Sequence, residues 1–448
     1  MRTTISHLWF NCAVSFTILL SSLAPVSVSA QSYATLRRFL SGNGVGIESG
    51  LTFSEGTLYG VGETIYKMST NGSDFSVVHS FSGGSEGEVP VGRVVVSGGT
   101  IYGVTTRGGT NLSNFRGGDG ILYRIDTSGS NFSVLRRLNG RVRDGYQPRF
   151  GMVLAEGMLY GTTSGGGASD SGTIFRISTN GNGYQNIHSF KPATEGSQPQ
   201  TELTIIGNRL FGTTSFGGYG QPNGGMLFKL GLDGSGFSVL YTFTNLFSVF
   251  NEAVNGLTLV GNSLYGVGYD YHLSKSSVYK INTDGSGFQI ISQLPSEFTF
   301  SGVLTWTGSQ LLAAWYGSDS SGGIVQVPTN GTGYRVVKAF ISNTSNRVVD
   351  WLWAGSMVYG NAFNTENNTG TLFSLDVSPR LASFVVGTEL TVTWPRYAQD
   401  FQLEQSSGLI SSLWNRVSAV PLDNGTNLLI TLPVPSSSGG IFHRLHQP

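Results

Sequence analysis

The chain has 448 residues, only 12% of them charged, and its 26 basic residues balance its 26 acidic ones. No basic stripe for phosphate backbones stands out, so nucleic acid is excluded as an expected partner. The 64 glycines and the low charge favour short strands and tight turns over helical surfaces. The length allows one large repeat array together with a small domain.

The first 30 residues, 1–30, have the features of a secretory signal peptide. Arg2 precedes a mostly apolar run, and Val28-Ser29-Ala30 has the small-x-small pattern that signal peptidase accepts. We expect cleavage after Ala30 and a secreted protein, extracellular or periplasmic, without stable membrane insertion; an N-terminal membrane anchor is the alternative. The single cysteine, Cys12, lies in this segment, so the mature chain would hold no thiol for catalysis or metal binding.

An apolar-aromatic-glycine step recurs along the chain at intervals of 43–58 residues, close to the spacing of four-stranded propeller blades. Each copy predicts four strands. In the third copy they are Gly151–Ala155, Met158–Thr163, Thr173–Ser178 and Tyr184–Phe190, and Asn180-Gly181 predicts a type I′ hairpin turn. The seven copies of the step are Leu58-Tyr59-Gly60, Ile101-Tyr102-Gly103, Leu159-Tyr160-Gly161, Leu210-Phe211-Gly212, Leu264-Tyr265-Gly266, Leu311-Leu312-Ala313 and Val358-Tyr359-Gly360. The tyrosines are expected to pack between neighbouring blades.

The seventh copy breaks off after Leu372–Asp376, without a fourth strand. Tyr33–Phe39 matches the fourth strands of the first two copies, Phe75–Phe81 and Phe132–Leu138. We therefore predict an all-β fold: a seven-bladed β-propeller over residues 31–378, closed by its N-terminal strand so that no free sheet edge remains. An open solenoid is the alternative. Residues 379–448 lose the repeat and predict a small β-sandwich-like domain.

Units such as GTTSGGGASDSGTIFRISTNGNGYQNIHSF, residues 161–190, resemble the GloVer-type tandem repeat of bacterial extracellular proteins. The resemblance covers about residues 33–377 and is specific in the second to fifth copies. The C-terminal segment is similar to small β-domains that end many secreted bacterial proteins. The resemblance implies a propeller outside the cytoplasm and implies no reaction, so no catalytic residue follows from it.

Strand order predicts which loops share an edge. In a four-stranded meander, the loops between the second and third strands and between blades lie at one edge, and here they are long and variable. Aromatic faces beside carboxylates suit sugars, which stack on rings and exchange hydrogen bonds. The candidate ligand-binding residues in these loops are Asp119, Asp144, Tyr146, Tyr219, Asp270, Tyr271 and His272. The alternative is that these side chains pack within their own loops or form a protein contact surface.

The first residue of each innermost strand is expected to line the mouth of a central channel. These positions hold Gly50, Arg93, Gly151, Glu202, Gly256, Val303 and Asp350. Three are charged where small or apolar residues would serve, so Arg93, Glu202 and Asp350 are further candidates for ligand binding. They could equally pair with one another or with solvent.

Sharper chemical motifs are absent from the sequence. It has no Gly-x-Ser-x-Gly elbow and no His-Glu-x-x-His motif, so we expect no catalytic residue, metal site or cofactor. His79 and His188 share a fourth-strand position that varies among polar residues, which predicts an exposed site. We expect a monomeric, secreted, non-catalytic binding module for an extracellular glycan or surface protein. The alternative is an extracellular carbohydrate-active hydrolase or lyase that uses acidic residues at the loop face.

Overall fold

The computed structural model describes residues 33–39, 50–111, 117–140, 144–199, 201–216, 225–243, 247–249, 256–270, 275–296, 298–308, 311–317, 322–331, 333–340, 346–354, 357–364, 369–377, 381–386, 388–395, 402–406, 414–423, 427–433 and 442–446. The predicted signal segment lies outside these residues. Every regular element within them is a strand except the short helix α1 (Pro192–Glu195) and a 3-10 turn at Gly84–Glu86. The all-β prediction is confirmed, and no described helix is long and apolar enough to cross a membrane.

The repeat forms successive antiparallel sheets in which neighbouring strands pair in order. The first described strand is β1 (Tyr33–Phe39). Sheet I holds β2 (Leu51–Ser54), β3 (Thr57–Val61), β4 (Thr64–Ser69) and β5 (Ser76–Ser80); sheet II holds β6 (Glu88–Ser97), β7 (Thr100–Arg107), β8 (Ile121–Asp126) and β9 (Ser133–Arg137); sheet III holds β10 (Val153–Ala155), β11 (Met158–Thr163), β12 (Thr173–Ser178) and β13 (Gln185–Ser189).

Two sheets then carry a leading strand in two pieces, each paired with the second strand. Sheet IV holds β14 (Ser197–Pro199), β15 (Thr204–Ile206), β16 (Arg209–Phe216), β17 (Met226–Gly231) and β18 (Ser238–Thr242); sheet V holds β19 (Phe247–Val249), β20 (Thr258–Val260), β21 (Ser263–Asp270), β22 (Lys275–Asn282) and β23 (Gln289–Gln293). Sheet VI holds β24 (Phe298–Trp306), β25 (Leu311–Gly317), β26 (Gly322–Val327) and β27 (Arg335–Phe340).

Sheet VII combines strands from both ends of the repeat. Its strands are β28 (Asn346–Ala354), β29 (Met357–Asn364), β30 (Thr369–Asp376) and β1, and β1 pairs with β30. The hairpin glycine of sheet I lies against β1: a Cβ atom on Gly72 would come within 3.2 Å of the carbonyl oxygen of Leu36. The equivalent glycine of sheet IV, Gly234, would place its Cβ 2.7 Å from the carbonyl oxygen of Ile187 in sheet III. Strand β1 thus meets sheet I as the fourth strand of sheet III meets sheet IV.

Apolar side chains fill the spaces between successive sheets. Tyr59 lies in a core cluster with sheet II residues, Tyr102 with sheet III residues, and Tyr160 with sheet IV residues. All three tyrosines are buried. The predicted packing of these tyrosines between neighbouring repeats is confirmed.

The hairpin between the third and fourth strands has one geometry in sheets I to V. In sheet III, Gly181 N donates to Ser178 O at 2.8 Å, and Ser178 N donates to Asn182 O at 3.0 Å. Gly181 has a φ of 88°, whereas Asn180 keeps a negative φ, so the predicted type I′ turn is wrong. These features indicate a type I turn followed by a glycine bulge. The Oδ1 atom of Asn180 accepts the N–H of Asn182 at 2.9 Å, which explains the preference for Asn or Asp there.

A planar or cationic side chain on the fourth strand stacks on an aromatic ring of the next sheet. Distances run to the centroid of the partner ring, from Cζ of an arginine or from the centroid of a ring. The pairs are Arg37 over Phe75 (3.5 Å), His79 on Phe132 (4.2 Å), Arg136 over Tyr184 (4.7 Å), His188 on Phe237 (3.9 Å) and Tyr241 on Phe288 (4.5 Å). Because these rings cover the two histidines, only 14% of the His79 side chain and 13% of the His188 side chain are exposed. The prediction that both histidines are exposed is wrong.

The chain divides into two compact units, and the described residues from Leu375 onward belong to the smaller one. Beyond the repeat, this unit contains two further sheets. Their strands are β31 (Ala382–Val386), β32 (Glu389–Pro395), β33 (Gln402–Ser406), β34 (Asn415–Arg416), β35 (Leu422–Asp423), β36 (Asn427–Pro433) and β37 (Phe442–His446), in the orders β31-β32-β36-β35 and β34-β33-β37. Val392, Trp394 and Leu403 are buried in its apolar core. The predicted boundary at residue 378 stays a prediction.

Candidate functional site

The candidate site lies within the leading strands. Arg93 is the sixth residue of β6 and Asp350 is the fifth residue of β28, so the prediction that these two residues begin their innermost strands is wrong. Here the leading strand leaves its ladder: the register of β6 shifts between Val91 and Val95, and in sheet IV the leading strand is interrupted between β14 and β15. Arg93 and Glu202 lie in these irregular stretches. A bulge re-aims a side chain relative to its strand.

Glycines make room beside the two charged residues. A Cβ atom on Gly50 would come within 2.4 Å of Arg93 N, and one on Gly151 within 2.2 Å of Arg93 O. One on Gly256 would come within 2.4 Å of Glu202 O. Real Cβ atoms essentially never approach below 3.0 Å, so the backbones of successive sheets require glycine here. The side chains of Arg93 and Glu202 therefore have no bulky neighbour at Gly50, Gly151 or Gly256.

Arg93 and Asp350 form a bidentate ion pair between sheets II and VII. Arg93 Nε donates to Oδ2 of Asp350 at 3.0 Å, and Nη2 donates to Oδ1 at 2.8 Å. Asp350 is fully buried and also accepts the N–H groups of Leu51 at 2.7 Å and Trp351 at 2.8 Å. Arg93 Nη2 donates to the carbonyl oxygen of Trp351 as well. Both Asp350 oxygens are therefore engaged, and the carboxylate ties sheets VII, I and II together.

Glu202 is different, because it has no hydrogen-bond or ion-pair partner among the described residues. Glu202 is half-buried, and desolvation raises its pKa to about 7. The charge of Arg93 opposes the shift, and the charge of Asp350 adds to it. Glu202 is thus an unpaired acid that changes charge near neutral pH.

Asp119, a predicted ligand-binding residue, is hydrogen-bonded within its own loop. It is 3% exposed, and its carboxylate accepts hydrogen bonds from the side-chain amide of Asn111 and from Gly140 N, the latter at 3.2 Å. Its carbonyl oxygen accepts Gln147 N at 2.9 Å, which joins sheet II to the connection before sheet III. These contacts hold the loop in place, and ligand binding by Asp119 stays a prediction.

Asp144 and Tyr146 are also held by their surroundings. Arg136 donates to Oδ2 of Asp144 through Nε at 3.0 Å and Nη2 at 2.6 Å, and the Tyr184 hydroxyl donates to the Asp144 carbonyl at 2.7 Å. Tyr146 pairs with Gly165 as an antiparallel bridge, and its ring lies against that glycine. The structure does not bring Asp119, Asp144 and Tyr146 together with Arg93 as one ligand site.

The remaining loop candidates fall outside what the structure describes. Tyr219, Tyr271 and His272 lie outside the described residues, and for Asp270 only the backbone, at the end of β21, is described. Among the described residues, no group of three or more His, Asp or Glu side chains is placed to hold a metal ion. These four candidates stay predictions.

The loop of sheet III between the second and third strands, 164–172, combines fixed ends with an exposed tip. Ser164 Oγ donates to Gln147 O at 3.0 Å, and Ser171 is buried against the next connection, where its carbonyl oxygen accepts Gln198 N at 2.9 Å. Gly166 N donates to Oδ1 of Asp170 at 2.8 Å. Residues 168–170 are exposed between these anchors. The loop therefore exposes its tip while hydrogen bonds hold both of its ends.

Sequence reasoning missed the stacked pairs of the fourth strands and the bulge of β6 around Arg93. A signal for the stacks was present: an aromatic residue lies three positions after the glycine of each Asx-Gly or Ser-Gly turn, at Phe75, Phe132, Tyr184, Phe237 and Phe288. The bulge has no comparable signal, because it follows from pairing two separated pieces of the leading strand with one partner strand.

Residues 109–305 match the model of the Gloeobacter/Verrucomicrobia repeat. The matched stretch runs from sheet II into sheet VI, so it includes the copies in which the resemblance is most specific. The predicted resemblance is confirmed. No curated relative matches the chain.

Solved structures share the fold at low sequence identity. The structure of YCF48 bound to D1 peptide is 12% identical with a TM-score of 0.50, over 80% of this chain and 100% of that one. Oligogalacturonate lyase from Vibrio parahaemolyticus is 9% identical with a TM-score of 0.50, over 78% and 97%. BamB from Moraxella catarrhalis is 11% identical with a TM-score of 0.45, over 76% and 99%. The repeated four-stranded sheets, together with the first two likenesses, show a β-propeller fold.

Proposed function

We propose that this protein is a secreted, non-catalytic interaction module built on a closed seven-bladed propeller, residues 31–378. A small β-sandwich-like domain, 379–448, follows in this proposal. The signal-like segment 1–30 supports export, with cleavage after Ala30. The mature chain would act as a monomer that presents its loop edge to an extracellular glycan or a surface protein.

Contacts between sheets VII and I support closure of the ring. Strand β1 pairs with β30, Arg37 stacks over Phe75 at 3.5 Å, and Leu51 N donates to Asp350 at 2.7 Å. The first contact belongs to the outer strand and the last to the leading strands. The two sheets therefore meet along their whole width, as successive sheets within the repeat do.

The single observation that carries the binding role is the use of the loop-edge acids as scaffold. A hydrolase or lyase with paired carboxylates needs two acids with free oxygens facing one cleft. Asp119, Asp144 and Asp350 instead each accept hydrogen bonds from their own loops or from neighbouring sheets. Among the described residues, the acid whose charge acts on Glu202 is Asp350, and both of its oxygens are engaged. This arrangement favours recognition over catalysis.

The experiment compares two edges of the same sheet in the mature chain. Ala168→Trp fills the exposed loop tip, and Asn182→Trp places the same bulk on the exposed hairpin of sheet III. We expect binding on a glycan array, or capture of a surface protein by cross-linking, that Ala168→Trp weakens at least tenfold and Asn182→Trp leaves unchanged. Reducing-end release from polysaccharides by the wild type would support the hydrolase or lyase instead. Equal loss in both variants, or binding unaffected by either, would place the contact elsewhere.

A further inference from the structure

The first three connections between successive sheets share one arrangement. In each, a basic side chain of the fourth strand lies close to an acid of the connection, and a buried glycine follows that acid. The pairs are His79 with Glu86 at 3.8 Å, Arg136 with Asp144 at 2.6 Å and His188 with Glu195 at 3.0 Å. A Cβ atom on the following glycine, Gly87, Gly145 or Gly196, would come within 2.7 Å of a threonine Oγ1 in the next sheet. The arginine pair keeps its charge, whereas the two histidine pairs depend on a proton.

The two connections with a histidine also share a sequence. Residues 79–87 read HSFSGGSEG and residues 188–196 read HSFKPATEG, so the histidine, the phenylalanine and the Glu-Gly step have the same spacing. Each glutamate accepts the backbone N–H three residues after its histidine: Ser82 N donates to Glu86 at 3.2 Å, and Lys191 N donates to Glu195 at 3.1 Å. The glutamate therefore joins the end of the fourth strand to the connection.

A strained residue lies two positions beyond the buried glycine. Gln147 and Gln198 both have a φ of 53°, and each precedes a proline, which favours an extended residue before it. Their N–H groups reach the loop of the preceding sheet: Gln147 N donates to Asp119 O and Gln198 N to Ser171 O, both at 2.9 Å. A backbone in this conformation persists only where surrounding contacts hold it.

Two connections hold the two ends of the loop 164–172 in sheet III. At the first end, Ser164 N and Oγ donate to Gln147 O at 3.1 and 3.0 Å, in the connection that carries the arginine pair. At the second end, Ser171 O accepts Gln198 N, in the connection that carries His188 and Glu195. The loop is thus held by a permanent charge pair at one end and by a titratable pair at the other.

The surroundings of His188 favour its neutral form. The rings of Phe190 and Phe237 pack against it, and the charged groups that face it are Glu195 and Lys191, both from the connection. Burial lowers the pKa of His188, Glu195 opposes this shift, and the charge of Lys191 adds to it. Since the ordinary histidine pKa is about 6.5, a proton binds more readily when the ring leaves this place. The packed arrangement is therefore favoured above that pH and is lost as pH falls through the lowered pKa.

We infer that the pair of His188 and Glu195 is a proton-sensitive latch on the exposed tip of the loop 164–172. When His188 takes up a proton and leaves its place, the strained Gln198 loses the contacts that hold it, and Ser171 O loses its donor. This inference rests on the proposed binding role of the tip and names its regulation. The other end of the loop stays held, so the tip gains mobility while its sheet stays intact, and acid weakens binding.

Amide hydrogen exchange of the mature chain tests the latch without a ligand. Rates are resolved to single residues and corrected for the intrinsic exchange rate at each pH. Between pH 7.5 and pH 5.0 we expect exchange at Gln198 N to rise at least threefold. Gln147 N is the matched internal control, because it donates over the same 2.9 Å beside the arginine pair and should change less than twofold. Circular dichroism at both pH values checks the fold.

Variants at the histidine positions decide whether His188 is responsible. His188→Arg gives this connection a permanent charge and should remove the pH dependence at Gln198. His188→Phe keeps a ring against Phe237 without a titrating nitrogen and should remove it too, so the test does not depend on one variant. His79→Arg makes the matched change between sheets I and II and should leave it intact. No rise in the wild type, an equal rise in the His188 variants, or an equal rise at Gln147 would overturn the inference.

Ligand binding separates the latch from the proposed function. If exchange responds as expected but neither a glycan nor a surface protein binds, the latch stands and the binding role is overturned. If a ligand is lost with Ala168→Trp while exchange at Gln198 ignores pH, the binding role stands and the latch is overturned. If both stand, affinity should fall at least threefold between pH 7.5 and pH 5.0 in the wild type and less than twofold in His188→Arg.

Discussion

The two edges of the sheets use similar residues in different ways. At the hairpin edge, the Asx-Gly and Ser-Gly turns repeat one hydrogen-bond pattern, so the same residues have the same structural role in each copy. In the loops and leading strands, the charged residues differ in their partners: Asp350 accepts hydrogen bonds from Arg93 and two backbone N–H groups, Asp119 accepts them from its own loop, and Glu202 has no hydrogen-bond partner among the described residues. Divergence from the repeat is therefore no sufficient sign of ligand binding. To bind a ligand, a divergent residue must also have hydrogen-bonding groups that the protein does not already use.

The largest expected effect comes from breaking the paired charge at the loop edge. Asp350→Ala removes both carboxylate acceptors of Arg93 and leaves its guanidinium largely surrounded by protein, which should lower the free energy of unfolding by about 3–5 kcal/mol. Glu202→Gln, at the equivalent position, removes an unpaired charge and should not lower it. Urea unfolding followed by tryptophan fluorescence measures both. A loss below about 1 kcal/mol for Asp350→Ala would show that the ion pair does not hold the sheets together.

The hairpin edge is tested by two glycine replacements. Gly234→Ala needs an alanine at a φ of 88° and places its Cβ 2.7 Å from the carbonyl oxygen of Ile187, so we expect a loss of about 2–3 kcal/mol. Gly157→Ala has a φ of 75° but nothing within 4 Å, and should cost about 1 kcal/mol. Thermal unfolding of the two variants separates conformational strain from contact between sheets. Equal losses would mean that the contact with Ile187 relaxes freely.

The stacked histidines predict a smaller, pH-dependent effect. Burial lowers the pKa of His188 in the folded chain, and Glu195, 3.0 Å from Nε2, opposes that shift. The unfolded chain, with a histidine pKa of about 6.5, then binds protons more readily. The neutral form stabilises the fold above that pH, and this contribution is lost as pH falls through the lowered pKa of the folded state.

Melting temperatures between pH 7 and pH 5 measure this contribution. His188→Phe keeps a ring against Phe237 without a titrating group, so its melting temperature should fall less with pH than that of the wild type. His79→Phe tests the equivalent position, where burial also lowers the histidine pKa. Parallel curves for the wild type and both variants would contradict the prediction.

The smallest expected effect concerns the side chain of a single hairpin. Asn180→Ala removes the acceptor for Asn182 N and should cost about 0.5–1 kcal/mol, whereas Asn180→Asp keeps an acceptor and should cost less. Urea unfolding of the two variants decides between them. If both lose the same stability, the role of the Asx residue in the turn lies in its backbone preference alone.

The repeat made much of the fold predictable, because strand signals lie close together in sequence. The predicted Met158–Thr163 and Thr173–Ser178 are strands with those bounds in the structure. The turn at Asn180-Gly181 was located correctly and its type was wrong, since a dipeptide alone does not distinguish a type I′ turn from a type I turn with a glycine bulge.

The candidate site was predictable only in part. Alignment of the copies brought Arg93, Glu202 and Asp350 to one edge, but it could not show which of them pair. The partners of Asp350, Leu51 and Arg93, lie far away in sequence, and bulging of the leading strand decides which side chains meet. For Asp119, the loop groups that donate to its carboxylate follow no recurring sequence pattern, and for Asp144 nothing in the sequence pairs its loop with Arg136 on β9.

The pairing of β1 with β30 has a consequence for the order of folding. Each of sheets I to VI is built from a continuous stretch of chain, so its hairpins close over short distances. Sheet VII needs a strand that precedes all of them, and the entropy of bringing such distant segments together delays that pairing. We expect the seam between β1 and β30 to form last, after synthesis has passed sheet VI. A circularly permuted chain that starts at sheet I and carries β1 after β30 would convert this seam into an ordinary hairpin and remove the delay.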